Sequence, residues 1–185
     1  MKKSSLRLML TFLSILLFVA ATCMVFLNQV VFSGKGTILG TTFTTEYTWL
    51  EVFFKGKEVS YNGVSATASN PNILGFIGYI CAFVGAIFAG LLLLAESKKA
   101  SATTKMFVSF LSIACGVASI VLLILMPISW TNANSNLVDA TKSVYTVNIT
   151  LGIGGILGLS FSGLSTIFVI LYMVSIMVHP GKKRK

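Results

Sequence analysis

The chain has 185 residues, 55% of them hydrophobic and only 10% charged, with a formal net charge of +9 and a mean hydropathy of +0.90. About a quarter of the residues in a soluble domain are charged, so this composition excludes an ordinary water-soluble globule. It also leaves no basic groove for a nucleic acid, because the positive charge falls in short clusters between apolar runs.

Lys2, Lys3 and Arg7 precede the first apolar run, 8–32. It exceeds the ~20 residues that a helix needs to cross ~30 Å of hydrocarbon. Basic residues before an apolar run, with small Val19, Ala20 and Ala21 further on, also fit a cleaved secretory signal. The run continues through Met24 to Phe32, beyond the apolar region of a signal peptide, which favours a retained span. Thr11, Ser14 and Ala21 mark its packing face. The outer loop, 33–71, is long enough to fold. Its Thr-, aromatic- and β-branched-rich stretch 41–54 predicts a strand, with Phe43, Tyr47, Trp49 and Phe53 on one face. A turn at 55–57 and a return strand add Val59 and Tyr61 to that face, and 36–42 with 64–69 supply a second pair of strands. The rival is a short amphipathic helix that places Tyr47, Leu50 and Phe54 on the membrane surface. The aromatic set Phe43, Tyr47, Trp49, Phe53 and Tyr61 either closes the domain or serves as a partner surface.

The second run, 73–95, carries Gly78, Ala82, Ala86 and Gly90 at steps of four, a smooth stripe for close helix approach. An inner loop, 96–105, holds Glu96, Lys98, Lys99 and Lys105. The third run, 106–130, repeats Ser109, Ser112, Gly116 and Ser119 at steps of three and four, the seam of a left-handed bundle. Pro127 lies near its end, and Trp130 there and Tyr172 in the next run read as interfacial anchors. A short Asn-rich outer loop, 131–147, follows. The fourth run, 149–178, is ~45 Å as a straight helix and carries a ridge of Gly154, Gly158, Ser162 and Thr166. That ridge is either a tight helix crossing or an unwound segment whose carbonyls line a site. The tail, 179–185, contains His179 and four basic residues.

The expected fold class is an all-α membrane protein, a four-transmembrane-helix bundle with a small β-rich first extracellular loop, in a single domain spanning 1–185. The outer loops hold Lys35, Lys55, Lys57 and Lys142 against Glu46, Glu51, Glu58 and Asp139. Their charge cancels, so the whole +9 belongs to the other side. Cytoplasmic loops hold the basic excess, which places both termini in the cytoplasm and the chain in the cell membrane. The basic clusters suit anionic lipid headgroups.

Chemistry is harder to find. Cys23, Cys81 and Cys115 fall inside the spans and read as packing residues. No span contains an ionisable group of the kind that marks a proton or ion path. His179 has only Glu96 and neighbouring lysines as polar company, so we expect no catalytic, cofactor or metal site. The leading expectation is a non-catalytic accessory, assembly or interaction subunit, bound to other membrane proteins or to itself. The alternative is a small oligomeric transporter or channel, with Asn28, Gln29, Asn148 and Thr150 lining an outer vestibule. An integral membrane enzyme comes third.

Four runs, a larger first outer loop with Tyr47 to Leu50 in a strand-rich segment, and a short second loop resemble claudin and tetraspan proteins. The first loop lacks the paired cysteines of the claudin signature, so Trp49 does not carry over as the claudin tryptophan. The stretch 151–163 is similar to the Gly-rich last span of small four-span proteins of Gram-positive bacteria. Neither resemblance implies an activity.

Overall fold

The computed structural model describes residues 3–36, 40–61, 64–68 and 70–178, with backbone alone at 3, 58–61 and 64–67. The elements in chain order are α1 (Lys3–Cys23), β1 (Val30–Gly36), β2 (Thr42–Tyr47), a π-helical turn (Glu51–Lys55), β3 (Lys57–Tyr61), β4 (Val64–Ala68), α2 (Ile73–Ser97), α3 (Ala102–Ala133), α4 (Ser135–Lys142), β5 (Tyr145–Leu151) and α5 (Ile153–Val178). The chain is mostly helical, and α1, α2, α3 and α5 are long and apolar enough to cross a membrane. Two compact units are formed: Met1–Cys23, Gly78–Val121 and Leu159–Lys185 make one, Met24–Ile77 and Leu122–Gly158 the other.

The first unit is built of helix segments whose buried faces carry small and hydroxyl side chains. Thr11, Ser14 and Ala21 of α1, Ser109, Ser112, Gly116 and Ser119 of α3, and Ser162, Ser165 and Thr166 of α5 are all buried. The hydroxyls are paired: Ser14 and Ser165 lie 3.3 Å apart, Ser119 and Ser162 3.1 Å, and Ser112 donates to the Gly85 carbonyl at 3.2 Å. Ser165 also donates to the Ser14 carbonyl at 2.7 Å, which ties α1 to α5 twice. The Phe18 ring is fully buried against Gly85 and Gly116, and a Cβ at Gly116 would collide with the Thr166 hydroxyl. On α2, Gly78, Ala82 and Ala86 are buried beside Gly85 and Ala89, whereas Gly90 has open space where a Cβ would stand. Phe12, Leu16, Phe83, Ile87, Phe107, Phe110, Ile167 and Val174 point outward and are exposed.

The second unit holds a three-stranded antiparallel sheet in the order β2-β1-β5 and a separate hairpin, β3-β4. Its central strand and one neighbour come from stretches that the apolar runs had suggested were helix. α1 ends at Cys23 and a short 3-10 turn follows over Met24–Phe26, so residues 30–32 of the first run are strand. In the fourth run Ile149 to Leu151 belong to β5, and α5 begins only at Ile153. β-branched apolar residues buried on one face satisfy a strand as well as a span. α5 is continuous through its glycines, so Gly154 and Gly158 pack a helix and do not unwind one. The expected hairpin of 41–54 with 57–61 is replaced by two hairpins, β1-β2 and β3-β4. The Asn-rich stretch 131–147 contains α4 and the start of β5.

Gln29 caps the 3-10 turn that follows α1. Its side chain is fully buried, and its amide nitrogen lies 2.9, 3.0 and 2.8 Å from the carbonyls of Met24, Val25 and Leu27, which share its two N–H. These are carbonyls that a helix end leaves without partners. The Gln29 backbone donates to the Tyr47 carbonyl and accepts from Gly152, both at 2.8 Å, while Gly154 N–H donates to the Asn28 carbonyl. A Cβ at Gly152 or Gly154 would strike this segment's own atoms, including backbone.

We predict that Gln29→Leu, which removes the side-chain donor from the partly buried carbonyls of the 3-10 turn, lowers stability by about 1–2 kcal/mol. Gly154→Ala should destabilise more than Gly90→Ala, which has room. Thermal unfolding in detergent, followed by circular dichroism, measures the order.

Candidate functional site

Two constellations outside the apolar packing hold chemistry-bearing side chains. One lies within the first unit, where Glu96 at the end of α2 accepts from Lys105 of α3 at 2.6 Å and from the Tyr172 hydroxyl of α5 at 3.1 Å. The ion pair is about nine-tenths buried. Close by in sequence, Arg7 of α1 donates to the Ser175 hydroxyl at 3.1 Å and to the Ser175 carbonyl, and Ser175 donates to the Tyr172 carbonyl at 2.7 Å. The network ties together the four long helices. Both donors meet the Glu96 carboxylate at Oε2, so the arrangement joins α2, α3 and α5 as a clasp. Tyr172 is fully buried in it and is not an interfacial anchor. His179 and the basic tail lie outside the described residues.

The other constellation is the exposed face of the three-stranded sheet. Strand alternation sends Val30, Phe32 and Gly34 of β1 inward and Val31, Ser33 and Lys35 outward. The antiparallel registers line these up with both neighbours in three rows: Thr42–Lys35–Thr146, Thr44–Ser33–Asn148 and Glu46–Val31–Thr150. Apart from Val31, every side chain in the rows is polar, and all but Ser33 and Val31 are exposed. Ser33 donates to the Asn148 carbonyl at 3.3 Å, and Asn28 donates to Glu46. A shallow depression of about 270 Å³ lies over the rows of Ser33 and Lys35. With one Lys and one Glu, the face carries no net charge.

The inner side of the same sheet is aromatic and rigid. Tyr47 and Trp130 have ring centroids 5.0 Å apart, Phe32 and Trp130 5.9 Å, Phe32 and Phe43 5.3 Å, and Phe43 and Tyr145 5.1 Å. Phe43 lies over Gly34, where any side chain would meet its ring. Trp130, read from the sequence as an interfacial anchor, is fully buried here, as is Tyr47.

The five aromatic residues proposed from the sequence as a partner surface therefore separate. Phe43 and Tyr47 build the core under the sheet. Phe53 is 3% exposed on the helical turn, packed against Phe76 with centroids 5.8 Å apart. Trp49 stands on that turn as well, half-buried, and the side chain of Tyr61 lies outside the described residues. The vestibule set also separates. Gln29 is in the core, Asn28 is engaged by Glu46, and Asn148 and Thr150 are on the open sheet face.

A signal for the turn was present in the sequence: Thr48-x-x-Glu51 ahead of Val52, Phe53 and Phe54 is a capping box. Glu51 Oε2 accepts from the Thr48 backbone N–H at 2.8 Å and from its hydroxyl at 3.0 Å, and Glu51 Oε1 pairs with Lys57 at 3.2 Å. Gly56 closes the turn at φ +70°, a conformation that only glycine adopts without strain. Burial pulls the Glu51 carboxyl upward, but the Thr48 donors and Lys57 together outweigh it and hold it below its ordinary value.

Cys81 and Cys115 are partly exposed, Cys23 is exposed, and all three are free thiols. Among the described residues no group of three or more His, Cys, Asp or Glu stands close enough to hold a metal ion. No family model matches this sequence, and none of the curated proteins compared with it matches.

Two measurements check these sites. Lys105→Met leaves the Glu96 charge buried without its partner and should cost about 3 kcal/mol, while the double variant with Glu96→Gln recovers most of it; unfolding midpoints decide. The Glu51 cap is favourable while the carboxylate is ionised. Its contribution is complete above the unfolded carboxyl pKa and is lost as pH falls through the lowered folded value. Amide exchange at Thr48 should therefore accelerate in acid, beyond the intrinsic pH dependence, in the wild type and not in Glu51→Gln.

Proposed function

We propose that this chain is a non-catalytic multi-pass membrane protein that acts as an interaction or assembly subunit through the exposed face of its three-stranded sheet. Membrane residence is supported by the polarity of the first unit, which is the reverse of that of a soluble bundle. Serines and threonines share its interior with Phe18, Leu92 and Val169, while many other Phe, Leu and Ile side chains face outward, and a water-soluble monomer rarely tolerates apolar surface on this scale. Interhelical hydroxyl pairs suit helices that gain little from apolar burial among lipid tails.

In this reading the four long helices span the membrane, with Lys98, Lys99 and both basic termini on the cytoplasmic side and the two loops outside. The anionic lipid headgroups of the inner leaflet attract the basic clusters. Cysteines substituted for Lys55 and Lys98 should label from opposite sides of the membrane.

The observation that carries the functional reading is the sheet face. Strands distant in sequence, with Ser33 and Asn148 115 residues apart, combine into one polar surface backed by the rings of Phe32, Phe43, Tyr47, Trp130 and Tyr145. The interior of the first unit is occupied by paired hydroxyls and by Phe18, Leu92, Val169 and Tyr172, which supports a packing bundle over a conduit. The partner is the outer portion of another membrane protein with a neutral, hydrogen-bonding surface, or a second copy of this chain.

Purification in mild detergent, with mass measurement of the intact complex, should yield the chain with a stoichiometric companion or as a defined oligomer. Thr44→Arg with Thr146→Arg should release that companion without changing the unfolding midpoint by more than about 0.5 kcal/mol, as expected for surface substitutions. The association should respond little to salt, because the face is neutral. A chain that remains monomeric and alone in its native membrane would reject the proposal.

A further inference from the structure

We propose that the helical turn over residues 49–55 is a membrane anchor lying in the interface on the loop side of the bilayer, with Trp49, Leu50, Phe54 and Phe26 set among headgroups and upper acyl chains. The inference rests on the membrane-spanning reading above and adds a second mode of lipid contact to it. The turn has two faces. Val52 and Phe53 are buried, which fixes its orientation, and Asn72 N–H donates to the Val52 carbonyl at 2.8 Å. Leu50 and Phe54 of the same turn are 47% and 56% exposed.

These side chains form part of a continuous aromatic run. Phe26 meets Trp49 edge-to-face at 5.5 Å, Trp49 meets Phe54 at 6.0 Å, and Phe54 meets Phe76 at 5.3 Å. Phe26 is itself 64% exposed and follows α1 directly. At the other end of the run Ile73, Leu74 and Ile77 are exposed on the first turns of α2, a helix apolar enough to span. The ring contacts therefore link the turn to Phe76 on a candidate span, beside the exposed Ile77. That continuity identifies lipid as the occupant and disfavours a soluble partner. The chemistry matches an interfacial segment: Trp and Phe on one side, with a charged cap of Thr48, Glu51 and Lys57 and the exposed Lys55 beside it, within reach of headgroup phosphates.

The chain has two tryptophans, Trp49 and the buried Trp130, so Trp49 emission is obtained by subtracting the spectrum of Trp49→Phe. The full chain is reconstituted in vesicles of phosphatidylcholine with a minor share of phosphatidylglycerol, and its retention after carbonate washing is scored first. Phosphatidylcholine carrying a nitroxide on its acyl chain, either just below the headgroup or near the chain terminus, is then included as a quencher. We expect Trp49 to lose most of its emission to the shallow nitroxide, less to the deep one and little to aqueous acrylamide. Leu50→Lys with Phe54→Lys should shift Trp49 toward acrylamide while the near-ultraviolet signal of Trp130 is kept. A retained chain whose Trp49 is quenched by acrylamide and not by lipid overturns the anchor alone. So does a Trp49 shielded from both quenchers, the signature of a protein cover. A chain released by carbonate overturns the spanning reading and the anchor with it.

Discussion

A single buried amide determines the layout of the second unit. The 3-10 turn that follows α1 ends in carbonyls that need donors, and the fully buried Gln29 side chain reaches them. It supplies N–H to Met24 and Val25 from three residues beyond the end of that turn, so the chain leaves helical geometry with these carbonyls paired. Its own backbone then passes into the sheet, joined to Tyr47 on one side and Gly152 on the other. The same residue ends a helix, starts a strand and receives the segment that leads into α5. The close approach of that last segment is what requires Gly152 and Gly154, and the crowding of glycines there is a packing demand of this junction.

In the first unit the corresponding constraint is that polar groups be satisfied from side chain to side chain. Ser14 with Ser165, Ser119 with Ser162, and Ser112 with the Gly85 carbonyl hold neighbouring helices at distances that only small residues permit. Such bonds average well under 1 kcal/mol each in membrane bundles, so they specify which faces meet more than they stabilise the bundle. The Glu96–Lys105 pair adds a clasp of another kind, whose loss would expose a cost in desolvation.

The sequence was most legible where a pattern is long and one-dimensional. The four apolar helices and the buried Ser/Gly seam of α3 follow from run length and spacing. It was least legible where the same composition serves two structures. Residues 30–32 and 149–151 are apolar and β-branched, and only the Gln29 cap and the pairing between them make them strands. The third strand could not be assigned locally, because β5 pairs with a partner in the other loop. Lys105 counted as one more loop charge until its burial beside Glu96 was seen, and Tyr172 and Trp130 had the chemistry of anchors but the surroundings of core residues. The turn at 49–55 is different. The aromatic alternation across it favours a strand, and the rival reading of a short helix agrees with the structure for Leu50 and Phe54 but not for Tyr47, which is buried in β2.

The sheet also has a temporal aspect. β1 lies in the middle, and its partner on one side, β2, follows within a few residues, but its partner on the other side follows much later: Ser33 and Asn148 are 115 residues apart. During synthesis at about 5–20 residues per second, the hairpin β1-β2 waits on the order of ten seconds with the inner strand's second edge open. An unpaired edge recruits whatever strand is nearest. The nascent chain is therefore most vulnerable to mispairing after α2 and α3 have been made and before Tyr145–Leu151 emerges, and a truncation anywhere in that interval leaves a template for association in place of a finished sheet.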